Sequence, residues 1–67
     1  MILSTREQAI NFAMYALEND PLFSGLNEHA MLGHLKHSIR LVFGGHTFEH
    51  GDLESIAQSA MDLLEYN

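Results

Sequence analysis

Between Ala9 and Leu17 the apolar residues recur at three- and four-residue spacing: Ala9, Ile10, Ala13, Ala16 and Leu17 trace one side of a helix, with Met14 at its edge. Glu7, Asn11 and Glu18 gather on the opposite side, while Phe12 and Tyr15 widen the apolar arc. Ser4 followed by Glu7 has the spacing of a capping box, in which the hydroxyl accepts from the third helical amide and the carboxylate reaches back to the cap. A first helix is predicted over residues 5–19.

Asn19-Asp20-Pro21 interrupts the pattern. Asp20 reads as an N-cap with proline at the first helical position, and Gly25 is the next helix breaker, so a short connecting helix over 21–25 is expected, bearing Leu22 and Phe23, with Leu26 just beyond. Asn27 is the next cap, and Glu28 complements a helix N-terminus. At about 100° per residue, Met31, Leu32, Leu35, Ile39, Val42 and Phe43 fall on one side of a helix over 28–43. His29, Lys36, His37 and Arg40 fall on the other, and Leu41 lies outside the main stripe. Gly44-Gly45 supplies the left-handed residue that helices commonly need at their end.

After His46 to Gly51, Asp52 is expected to cap a third helix over 52–66. Leu53, Ile56, Ala57, Ala60, Met61, Leu63 and Leu64 form its apolar side, with Glu54, Gln58, Asp62 and Glu65 facing away. No run of alternating β-branched residues argues for a sheet, and no internal repeat or long linker divides the chain. The pattern therefore predicts an all-α fold: a small bundle of three main amphipathic helices with one short connecting helix, as a single domain over residues 1–67.

Length changes that picture by making the core thin. A chain of 67 residues buries only about 60% of the surface its unfolded form exposes, and the usual remedies are disulfides, a metal or oligomerisation. With no cysteine, disulfides and thiolate zinc sites are excluded. A homodimer is the expected remedy, since two-fold pairing is the commonest arrangement of soluble homo-oligomers.

Charge narrows the partners. The chain carries a formal net charge of −6 with only three Lys and Arg residues, which disfavours direct nucleic-acid binding, a process driven by cations displacing counterions from phosphates. The same charge suits attraction to a basic protein surface or imitation of a polyanion. Lys36 and Arg40, all of the permanent positive charge except Arg6, lie on the second helix with His29, His34 and His37 beside them. No stretch approaches the roughly 20 apolar residues that cross a bilayer. Met1-Ile2-Leu3-Ser4 lacks a basic segment followed by a long apolar run, so no membrane association and a cytoplasmic location are expected.

His46-Thr47-Phe48-Glu49-His50 has the H-x-x-E-H order of the inverted zinc-protease motif, which sets two histidines one turn apart with a carboxylate ready to activate water. The similarity covers five residues. Gly45 and Gly51 bracket them and leave room for one turn, not the long supporting helix, third ligand and cleft that proteolysis needs. A non-catalytic site is less demanding: His46, Glu49 and His50 make a candidate zinc or nickel cluster, completed by Asp52 or by a histidine of a second subunit. The bland alternative is a loop whose Phe48 plugs the bundle. His34 and His37 form a lesser chelating pair. Protonation of all five histidines, at an ordinary value of ~6.5, would move the charge from −6 to −1, so a pH-responsive protein is a further reading.

Other catalytic routes are poorly served. There is no cysteine nucleophile, no serine in a G-x-S-x-G turn and no glycine-rich phosphate loop, so enzymatic turnover is not expected. Interaction is the expected function: a small acidic protein-binding module, of the kind a phage or mobile element would use as an inhibitor, occluding a basic surface of its target. Glu7, Glu18, Glu54, Asp62 and Glu65 are the candidate charges for that contact and Phe12, Tyr15 and Tyr66 its aromatic anchors. Lys36 and Arg40 are positioned to meet the acidic faces of a second copy. A structural assembly subunit without a separate target is the alternative.

Overall fold

The computed structural model describes residues 3–65. Helix α1 spans Thr5–Asn19, and its start is the capping box expected from Ser4 and Glu7: Ser4 Oγ accepts from the Glu7 N–H at 3.1 Å, and Glu7 Oε1 accepts from the Ser4 N–H at 3.2 Å. Asp20 then caps a single 3-10 turn, Pro21–Phe23, its Oδ1 accepting from the Leu22 N–H at 2.9 Å. The connecting element stops at Phe23 rather than running to residue 25, because Ser24 and Gly25 turn the chain and Gly25 adopts a φ of +95°.

Helix α2 spans Glu28–Phe43 and opens on Asn27, whose Oδ1 accepts from the Ala30 N–H at 2.8 Å. It ends at Gly44, φ +100°, whose N–H donates to the Arg40 carbonyl at 2.9 Å. The Thr47 hydroxyl donates to the Phe43 carbonyl and satisfies a further acceptor at this helix end.

Helix α3 spans His50–Glu65 and starts two residues before the expected boundary. The Leu53 N–H donates to the Glu49 carbonyl at 3.0 Å, which makes Glu49 the capping residue by position. Asp52 therefore does not cap the helix; it lies in the first turn, where its charge still complements the exposed amides. The expected end at residue 66 lies outside the described residues.

The helices close on a core of nine buried residues: Ala9 and Ala13 of α1, Phe23, Leu35 and Ile39 of α2, and Leu53, Ile56, Ala57 and Ala60 of α3. Leu35, Ile39, Leu53 and Ile56 supply the bulk, while α1 and α3, which make the most extensive helix contact, meet with alanines buried on both. Small side chains let two backbones approach closely, which suits the extensive α1–α3 contact, and α2 packs against both helices. The radius of gyration, 11.2 Å, equals the roughly 11 Å expected of a folded chain of this length.

Helices α1 and α3 run the same way. Near their starts, an Arg6 guanidinium N–H donates to Ser55 Oγ at 2.9 Å; at their other ends, Leu17 to Asn19 and Met61, Asp62, Leu64 and Glu65 line a common groove. Helix α2 returns the chain between them, so its N-terminus meets the C-termini of both. At the opposite end Phe43 packs edge-on against Phe12 and Phe48, with ring centroids 6.0 Å apart in each pair, and Phe48 thereby plugs the bundle.

Two assignments from periodicity fail. Val42, placed on the core side of α2, is 58% exposed, because Phe43 takes the inward position in the last turn. Leu63 of α3 is likewise outside the buried set. Among the described residues no helix is long and apolar enough to cross a membrane.

Candidate functional site

The parallel course of α1 and α3 gathers the last turn of each, the Asp20–Ser24 connection and the first turn of α2 around one open groove of about 620 Å³. Leu17, Pro21, Phe23, Met31, Met61 and Leu64 give it an apolar lining. Phe23 is nearly fully buried and holds the connection down, with the His34 ring packed edge-on at 5.1 Å. The two methionines are the adaptable part of the surface, since an unbranched thioether repacks around different shapes at low cost.

Around this lining stand Glu18, Asp20, Glu28, Asp62 and Glu65, five of the chain's nine carboxylates, and no Lys, Arg or His lines the groove. Asp20 is occupied in part by its cap, and Asp62 Oδ1 accepts from the Gln58 side-chain amide at 3.0 Å. Neither contact neutralises charge. Both α1 and α3 also end without a basic residue in the last turn, whereas α2 has Arg40 there. The negative ends of two helix dipoles therefore add to the carboxylates, and the one positive helix end at the groove, the N-terminus of α2, carries Glu28 in its own first turn. A concave, partly apolar site lined by one sign of charge focuses its field and attracts cations.

Of the residues expected to bind a partner, Glu18, Asp62 and Glu65 are brought together here. Glu7 is engaged in the capping box at the other end of α1, and Glu54 lies exposed on the first half of α3. Phe12 is not an exposed anchor: it is half-buried against the core and against Phe43. Tyr15 is 67% exposed and borders a second, shallow depression with Phe12, Ala16 and Ser38, which meets the acidic groove at Asn19 and Asp20. Lys36 is half-buried and Arg40 exposed on α2, and neither lines the acidic groove. Tyr66 lies outside the described residues.

The candidate metal residues span the turn after α2 and the start of α3. His46 sits in the turn after α2 and Glu49 just before α3, whereas His50 is the first residue of α3, so the two histidines do not share a helical turn. Among the described residues no group of three or more His, Asp or Glu side chains is placed to hold a metal ion. His29 and His37 are exposed on α2, and His34 is turned onto Phe23.

Asp20 and Glu28, with the apolar lining, escaped the sequence reading because each already had a role as a helix cap or first-turn charge. The signal was nonetheless present: in an up-down-up bundle the acidic last turns of the first and third helices must converge on the connection between the first two. No family model matches the chain, and no curated protein or solved structure matches it.

Proposed function

We propose that the chain is a protein-binding module whose acid-rimmed apolar groove covers a basic surface of a target protein. The observation that carries this reading is the coincidence of an apolar lining with five carboxylates, two helix C-termini and no cation in one groove. Like charges collected at one site repel, and a cationic partner relieves that cost while the apolar lining supplies the area-dependent part of affinity. Where the covered surface is functional, for instance a site that grips a polyanion, the module acts as an inhibitor. Salt then weakens the complex, because rim charges set encounter rate and its dependence on ionic strength.

The test is site-specific photo-cross-linking in the native host, with the cross-linker placed at Glu18 or Asp62 and, as a control, at Glu54. The expected result is one discrete adduct from the groove positions, absent from Glu54 and lost with the charge reversals Glu28→Lys and Glu65→Lys. Equal adducts from all three positions, or adducts indifferent to those reversals, refute the reading.

A second reading, assembly of identical copies, is favoured by a different surface. Tyr15, Leu41 and Val42 are 67%, 72% and 58% exposed. Tyr15 and Ser38 border the same depression, and Leu41 and Val42 come one helical turn after Ser38. Homodimerisation would cover this apolar surplus.

A further inference from the structure

We infer that the occupant of the groove is a cationic amphipathic helix of the partner, its apolar face on Met31 and Met61 and a Lys or Arg head group over the C-terminal turns of α1 and α3. This rests on the protein-binding reading and adds the form of the bound element.

Three observations lead there. The described residues are helix, turn and loop with no strand, so no sheet edge is present among them to capture an extended peptide through its backbone. A helix offers apolar anchors on one face at i, i+3, i+4 and i+7, which suits a groove lined by apolar side chains. The groove, about 620 Å³ and open to solvent, has room for a few apolar anchors from one element. Its lining includes two methionines, the side chain that accommodates helices of differing anchor shape.

Charge fixes the polar half of the ligand. Glu18 and Asn19 end α1, Asp62 and Glu65 end α3, and all four line the groove together with Leu17, Met61 and Leu64. A lysine or arginine stem can lie on those apolar side chains while its head reaches the carboxylates. The same head group supplies the cation that both helix C-termini lack.

The experiment titrates the full chain with a synthetic peptide of about 14 residues, four turns of helix, with leucines on one face and lysines on the other. A scrambled peptide of identical composition carries the same charge without an apolar face, and lysozyme serves as a basic globular probe. Binding is followed by fluorescence anisotropy and by the methyl NMR signals of Met31 and Met61. The amphipathic peptide is expected to bind at least about tenfold more tightly than the scrambled one and to shift both methyl signals. Glu18→Lys with Asp62→Lys should weaken it by about tenfold or more, and Glu54→Lys should not. Circular dichroism of each variant separates lost binding from lost fold. Equal binding of the scrambled peptide, or methionine signals that stay in place, overturns the helix assignment. Lysozyme binding at the rim, abolished by Glu18→Lys with Asp62→Lys, without peptide binding would overturn it while leaving the protein-binding reading intact. Failure of both probes in the titration, together with absence of the groove cross-link, would remove both.

Discussion

Leu35 and Val42 belong to the same apolar stripe of α2 by periodicity, yet Leu35 is fully buried and Val42 is 58% exposed. Truncating each to alanine therefore separates burial from pattern. Leu35→Ala removes a fully buried side chain from a core with only three other large, fully buried ones, and such changes cost about 2–5 kcal/mol. A folded chain of this length has only about 3–10 kcal/mol in total, so the variant should lose a large part of its stability. At about 4–8 °C per kcal/mol, a loss of ~3 kcal/mol lowers Tm by roughly 12–24 °C. Val42→Ala removes two carbon groups worth about 1.6 kcal/mol when buried. With 42% of the side chain covered, the complement of its 58% exposure, that falls to about 0.7 kcal/mol. Alanine's better helix propensity returns about 0.5 kcal/mol, leaving a net change near zero. Urea titration and thermal melts followed by circular dichroism measure both variants. Equal losses, unchanged over a wide range of protein concentration, would mean that α2 is rotated about its axis and that Leu35 does not hold the core. A Val42→Ala loss that appears only at high concentration would place Val42 in a contact between copies.

Other perturbations act through the backbone. Gly33 lies exposed within α2 with open space where a Cβ would stand, so Gly33→Ala should stabilise by about 1 kcal/mol and raise Tm by roughly 4–8 °C. Gly44 is the reverse case: its φ of +100° disfavours any Cβ, and one would meet the Thr47 hydroxyl oxygen at 3.2 Å, so Gly44→Ala should lose about 1–2 kcal/mol. Asn27→Ala removes the side-chain acceptor of the Ala30 amide and should cost about 1 kcal/mol in the same melts, with Asn27→Ser recovering most of it. Native mass spectrometry of protein purified without chelator counts subunits and metal together. The dimer reading expects two copies that separate with Leu41→Ser and Val42→Ser; a zinc or nickel mass lost with His46→Ala and His50→Ala would instead require ligands shared between copies.

The chain alone determined what is local. Capping by Ser4, Asp20 and Asn27, the stop at Gly44 and the apolar stripes are set by bonds and spacings within a few residues, and they are found where the sequence places them apart from Val42 and Leu63. The start of α3 was missed by two residues because Asp52 is a good cap by type, while Glu49 caps only through its backbone carbonyl, which any residue carries. That shift also puts His50 on α3 while His46 stays in the turn before it. Tertiary structure decided whatever depends on which helices are neighbours. Periodicity defines a stripe about half a helix wide, but only packing against two other helices selects Leu35 and Ile39 over Val42, or folds Phe12 onto Phe43. The groove is of the same kind. Its five carboxylates lie on four separate segments, and they share one site only because α1 and α3 run in the same direction and bring two negative helix ends to the start of α2.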